Sequence, residues 1–124
     1  QEYSKNVGIA YANRYIPNKV RISRDYYITG TDNFKIAQRR ALTGDWSGAA
    51  ELWKQELNNS DLKILGRAYY NMAISSEIDG DLDQAISYAS KAYTDYKNKL
   101  ALDYVNTLNY RKKQSQILED QLSN

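Results

Sequence analysis

Asp79, Asp81 and Asp83 alternate through Glu77-Ile78-Asp79-Gly80-Asp81-Leu82-Asp83, the spacing with which an EF-hand loop offers its first oxygen ligands to calcium. Such a loop needs Gly at its sixth position and a bidentate Glu at its twelfth. Counted from Asp79, those positions hold Gln84 and Ser90. The glycine falls second instead, where it stops a helix. The acidic run is therefore read as turn chemistry, with Asp81 or Asp83 near the positive N-terminus of the next helix, and no metal site is expected. Catalytic chemistry is thinner still. The chain has no His and no Cys, which removes the usual general bases, thiol nucleophiles and zinc ligands. Its glycines are scattered singly and form no phosphate-cradling loop. Carboxylates remain, but they fall in turns and on exposed helix faces; a Lys or Tyr base is the one option left. The sequence predicts no enzyme and no cofactor.

Twelve Tyr and two Trp stand against a single Phe, so the apolar area comes mostly with a polar tip. Such rings suit half-wet helix packing and groove surfaces. The net charge of +2 is small, and the basic excess near the start (Lys5, Arg14, Lys19, Arg21, Arg24) is interleaved with Tyr. That is a solvated rim, too sparse to track a nucleic-acid backbone. At 124 residues the chain has the length of one domain and can bury enough surface to fold without staples. No apolar run approaches a membrane span. Opening on Gln1-Glu2-Tyr3, the chain reads as a processed or truncated product, with any targeting segment out of sight.

The elements that must position these residues follow from periodicity. Val7, Ala10, Tyr11 and Arg14 recur at helical spacing, which predicts the end of a helix over 4–14, stopped by Pro17. Residues 20–28 are β-branched and aromatic and predict a short strand or an extended arm. Thr29-Gly30-Thr31-Asp32-Asn33 is a turn that caps the next helix. Helices are then predicted over about 32–43, 46–57, 61–79, 82–96 and 99–121, making about six in all. Their buried faces are read from Phe34, Ile36, Ala37, Ala41 and Leu42; Ala49, Ala50, Trp53 and Leu57; Leu65, Tyr69, Met72, Ala73 and Ile78; Ala85, Ile86, Ala89, Ala92 and Tyr93; and Ala101, Tyr104, Val105 and Leu108. Gly44 and Gly80 supply left-handed positions after two of the helices. The last helix turns polar and basic at Arg111-Lys112-Lys113, as the outer cap of a stack should. Tyr26-Tyr27 is expected to cap the other end.

Gly44-Asp45-Trp46 and Gly80-Asp81-Leu82 lie 36 residues apart, each ending one helical run and opening an Ala-rich one. A helix–turn–helix period in the mid-thirties resembles tetratricopeptide-type repeats. The second repeat matches the consensus at Tyr69, Met72, Ala73, Gly80-Asp81, Ala85, Ala89 and Ala92, without the usual closing proline. The first is looser, with Ile36-Ala37, Gly44-Asp45, Ala49 and Trp53 in register but Glu56 where a small residue is expected. The resemblance implies an all-α, right-handed α-α superhelix: two tetratricopeptide-like repeats over 31–124 with a C-terminal capping helix, and over 1–30 a helix end and short extended N-terminal arm packed on them. In that family the first helix of each pair lines a concave groove. Carried over, the groove candidates are Lys35, Gln38 and Arg39 from one helix and Arg67, Tyr70, Asn71 and Ile74 from the next. Arg can hold a carboxylate, Asn can pair with an extended backbone and Tyr can stack, which suits a peptide, or less specifically a glycan ring. The plainer reading has Tyr70 packed on a neighbouring helix and Arg67 solvated.

A second resemblance rests on Tyr11-Ala12, Pro17, Arg24-Asp25-Tyr26-Tyr27, Gly30, Gly44-Asp45-Trp46, Ala49-Ala50, Trp53, Gly66-Arg67-Ala68 and Asn71-Met72-Ala73. It is similar to a family of Bacteroidetes cell-envelope proteins, predicted lipoproteins of unknown function; where they tend to carry a Trp after the proline, this chain has Lys19. The resemblance implies a periplasmic or outer-membrane-associated protein, held to the membrane only through a lipid anchor outside this chain. Together these readings predict a non-catalytic protein–protein interaction module or scaffold with a protein or peptide partner and no nucleic acid. Two alternatives stand beside it. One is a purely structural domain whose groove is filled by the N-terminal part of its own protein; the other is an accessory carbohydrate-binding domain.

Overall fold

The computed structural model describes residues 2–4, 8–16 and 20–123. Three strands, β1 (Glu2–Ser4), β2 (Ile9–Ile16) and β3 (Val20–Tyr27), come first. They form an antiparallel sheet in the order β1-β2-β3. Five α-helices follow: α1 (Asp32–Leu42), α2 (Trp46–Gln55), α3 (Leu62–Ile78), α4 (Leu82–Thr94) and α5 (Lys99–Leu122), with a 3-10 turn over Glu56–Asn58 after α2. The chain is mostly helical, as expected.

The helix expected over 4–14 is corrected: residues 9–16 are a strand. Ala10 and Ala12, two apart, are both buried and lie opposite Tyr26 and Arg24 of β3. That is a period of two. In a short mixed run both periods find matches, and pairing with the β-branched, aromatic β3 decides between them. The strand reading of 20–28 holds, and the extended arm is one leg of a hairpin. The helix stop assigned to Pro17 and the departure at Lys19 lie outside the described residues.

The two glycine turns are built alike. Gly44 and Gly80 are left-handed, with φ of 85° and 86°. At the first, Gly44 N–H donates to the Ala41 carbonyl and Asp45 N–H to that of Arg40. At the second, Gly80 N–H donates to Glu77 and Asp81 N–H to Ser76. Both are Schellman closures. Each Asp then caps the following helix: Asp45 accepts from Gly48 N–H at 2.9 Å and Asp81 from Gln84 N–H at 3.0 Å. One aspartate thus closes one helix and opens the next. Asp81 stands at the N-terminus of α4, as the turn reading expected.

Thr31 precedes α1, but its side chain makes no capping bond. Its hydroxyl donates to Glu56 instead. Glu56, odd for a repeat, is buried and ties the end of α2 to the segment entering α1.

α3 is the central element. Its residues are buried nearly all round, from Ile64 and Leu65 to Glu77 and Ile78, as expected of a helix with neighbours on every side. α2, α4 and β3 all pack on it. α5 buries Ala101, Tyr104 and Leu108 and then projects, exposed from Lys112 to its end.

Candidate functional site

The structure divides the seven groove candidates into two groups. Lys35 and Arg39 of α1 are exposed and Gln38 is half-buried. Of those on α3, Arg67 is half-buried and Tyr70, Asn71 and Ile74 are buried, Asn71 and Ile74 completely. The two groups do not form one open surface, because β3 lies across α3.

Tyr27, at the end of β3, is the point of attachment. Its N–H donates to Asn71 Oδ1 at 2.8 Å, and its carbonyl accepts from Asn71 Nδ2 at 2.7 Å. Its ring meets Tyr70 edge-on, with centroids 5.3 Å apart, and the Arg67 guanidinium stands 5.1 Å from the ring centre. Arg67 also donates to the Thr29 carbonyl at 3.0 Å. The Tyr27 hydroxyl accepts from Asn98 Nδ2 at 3.1 Å, and Asn98 caps α5 through Ala101 N–H. Burial pushes the Tyr27 and Tyr70 hydroxyls above the usual tyrosine range, Tyr70 strongly. Tyr26, the next residue back, is fully buried against Trp46 and Trp53 of α2, with centroids 5.1 and 6.2 Å away. Asn71 pairs with the extended backbone of the chain's own β3, while Tyr70 and Arg67 lie against the Tyr27 ring and Arg67 holds no carboxylate.

A buried carboxylate locks three elements together nearly two turns further along α3. Glu77 is fully buried. Arg24 of β3 grips it in a fork, Nε to Oε1 and Nη2 to Oε2, both at 2.8 Å. From α5, the Tyr104 hydroxyl donates to Oε1 at 2.8 Å and Arg111 Nη1 donates to Oε2. Burial by itself disfavours the charged form, yet the bonds from Arg24, Tyr104 and Arg111 outweigh it and hold Glu77 below the usual carboxylate range. Burial first, then the neighbouring carboxylate, pushes the Tyr104 hydroxyl well up. A carboxylate with four donors on its two oxygens is fully satisfied, which suits a clamp.

Between β3 and α5 a cavity of about 260 Å³ remains open, lined by Ser23, Arg24, Asp25, Tyr70, Leu100, Asp103, Tyr104 and Thr107. Elsewhere Asp83 pairs with Lys112 at 2.7 Å. No group of three His, Cys, Asp or Glu among the described residues is placed to hold a metal. Among them, too, no helix is long and apolar enough to cross a membrane. On the far side of α3, Tyr69 stacks on Tyr96 with centroids 5.5 Å apart and meets Tyr88 at 6.0 Å. These rings pack on one another.

The match to a known family follows the helices. A family described as Domain of unknown function (DUF6340) matches residues 35–113, well over half of the chain. The chain belongs to this family. The DUF6340 match runs from α1 into α5 and takes in Asn71, Glu77, Tyr104 and Arg111, while the three strands precede it. No curated protein and no solved structure matches the chain.

Sequence reasoning missed Glu77 and Arg24, and Tyr104 and Arg111 as its partners. One signal was present. Glu77 lies four residues after Ala73 and three after Ile74, on a buried face of the helix, where an unpaired carboxylate would be costly. Nothing in the sequence points to Arg24, 53 positions away.

Proposed function

We propose that this DUF6340 domain is a non-catalytic, tetratricopeptide-like interaction module or scaffold whose groove is occupied at α3 by the chain's own β3. Its outward-facing surfaces are left for a protein or peptide partner. The observation that carries this reading is the pair of bonds from Asn71 to the Tyr27 backbone. A helix whose side chains read extended backbone without regard to side-chain identity is built to hold a strand, the mode by which sheets and grooves recognise peptides. The paired Schellman turns 36 residues apart support two repeats stacked as a right-handed superhelix. The resemblance to envelope lipoproteins supports a place in the bacterial cell envelope, with any anchor outside this chain. Full commitment of Glu77 to four donors, and the lack of His and Cys, support a role without chemistry.

The test is capture from an envelope extract by the immobilised domain beside a Lys35→Glu/Arg39→Glu variant. These two exposed side chains can be reversed in charge without touching the core. A partner held by the wild type and lost by the folded variant supports recognition on the open part of the groove. Capture of nothing favours the second reading, a purely structural domain, which the occupancy of α3 by β3 also supports.

A further inference from the structure

The distal half of α5 turns its polar side to its own domain and an apolar side to solvent. Lys112, Ser115 and Glu119 line a cavity of about 290 Å³ against Gly80, Asp81, Leu82 and Asp83 at the start of α4. Lys112 pairs there with Asp83 at 2.7 Å. At about 3.6 residues per turn, Tyr110 and Ile117 stand on the opposite side of the helix from that cavity, 65% and 43% exposed. Tyr110, Gln114, Ile117 and Gln121 follow one another at spacings of four, three and four, the spacing with which one long helix meets another. Leu118, half exposed, flanks this seam on one side, and Lys113 and Asp120 flank it on the other. A helix lying on a core turns its apolar residues toward it; here the arrangement is reversed beyond Leu108. We propose that this seam is a self-association face, and that its occupant is the same face of a second copy of the chain, packed antiparallel.

The charges on the rim select that occupant. Lys113 and Asp120 lie seven residues apart on one rim, both exposed, and form no ion pair among the described residues. In an antiparallel two-fold pair each rim meets the same rim of the other copy. Each Lys113 therefore stands opposite Asp120 of the second copy, and the contact is made twice. The same register sets Ile117 beside Gln114 and Tyr110 beside Gln121 across the seam. A parallel pair would set Lys113 against Lys113 and Asp120 against Asp120, which repel. Gln114 and Gln121 fix the register and weaken the contact, as polar seam residues do. A seam of about three turns buries less than the roughly 1,200 Å² of a stable interface, so the dissociation constant is expected on the order of 0.1 mM.

The experiment is sedimentation equilibrium of the domain from about 10 μM to about 1 mM. The expected result is a monomer–dimer equilibrium that Ile117→Glu weakens about tenfold or more. Lys113→Glu and Asp120→Lys, each alone, set like charges opposite one another and should weaken the dimer about fivefold. The double reversal Lys113→Glu/Asp120→Lys restores opposite charges and should restore the association. Circular dichroism confirms the fold of each variant, all of them changed at solvent-facing positions of the projecting half of α5. A monomer at every concentration overturns the proposal and leaves the face to a different chain. A dimer indifferent to Ile117→Glu overturns the seam. Single reversals without effect, or a double reversal that fails to restore the dimer, overturn the antiparallel register. Capture through Lys35 and Arg39 is decided separately, since neither lies on α5.

Discussion

Asn71 holds Tyr27 by both of its backbone groups, accepting from the N–H at 2.8 Å and donating to the carbonyl at 2.7 Å. The amide does for one residue what a neighbouring strand does for a whole edge, and it joins segments 44 positions apart. Sheet edges left unpaired are prone to recruit other chains. A single buried side chain that ends the edge also fixes where β3 sits on α3.

Replacement of Asn71 tests that attachment. Asn71→Leu keeps the volume and removes both partners, so the Tyr27 N–H and carbonyl are stranded where the protein is buried. Each orphaned group costs about 1–3 kcal/mol, and a loss of about 2–4 kcal/mol is expected in urea unfolding. A loss below about 0.5 kcal/mol, the scale of a surface change, would mean that water replaces the amide and that the strand is held by Tyr26 and Arg24.

Glu77 makes the same connection by charge. Glu77→Gln keeps the shape, removes the negative charge between Arg24 and Arg111 and should destabilise by about 3 kcal/mol. Arg24→Ala should cost less, since Tyr104 and Arg111 still donate to the carboxylate. The pH dependence separates the charge from the shape. The folded form holds the Glu77 carboxylate below its usual range, so the unfolded chain takes up this proton at a higher pH than the folded one. Its contribution is fully present above the unfolded value of about 4.3 and is lost as pH falls through the folded one. Denaturation midpoints measured from about pH 6 downward should fall for the wild type and fall less for Glu77→Gln. Parallel curves would remove Glu77 as the source.

These two contacts also mark the boundary of what could be read beforehand. The helices were legible because apolar spacing and Gly-Asp punctuation are local. Gly44 and Gly80 announce their turns within a few residues, and both turns are present. Asn71 and Tyr70 were picked out as groove residues, and the chemistry assigned to Asn71 is the chemistry it performs. The identity of the strand it holds was not legible, because a period of two and a helical period both fitted residues 7–14 until β3 paired with β2. Arg24 and Glu77 meet only once the sheet has been laid on α3, and no local pattern encodes that distance.

The backbone at the turns gives a test with opposite signs. Gly44 is left-handed, and a Cβ there meets nothing within 4 Å, so Gly44→Ala isolates the conformational cost. A loss of about 1 kcal/mol is expected. Gly80→Val should lose at least as much, since β-branching adds to the strain. Lys97, between α4 and α5, is the non-glycine residue with positive φ among those described, at 58°. Lys97→Gly should therefore be neutral or stabilising by up to about 1 kcal/mol in thermal unfolding. A destabilised Lys97→Gly beside an unaffected Gly44→Ala would remove the left-handed turns from the account of the fold.

Tyrosine ionisation reports on the join between sheet and helices directly. Tyr27, Tyr70 and Tyr104 all lie where β3, α3 and α5 meet, and burial leads the causes that push each hydroxyl above its usual value. In the unfolded chain these groups titrate near pH 10. Groups raised in the folded state contribute stability that is present below the unfolded value and is lost as pH rises toward the folded one. Absorbance near 295 nm should thus show a late tyrosine phase that includes Tyr27, Tyr70 and Tyr104, in step with loss of the far-ultraviolet helix signal. Asn71→Leu should bring part of the late phase forward by loosening Tyr27 from Tyr70. If no late phase appears while the helix signal persists, β3 is not seated on α3 in solution, and the groove along α3 is open to an outside strand.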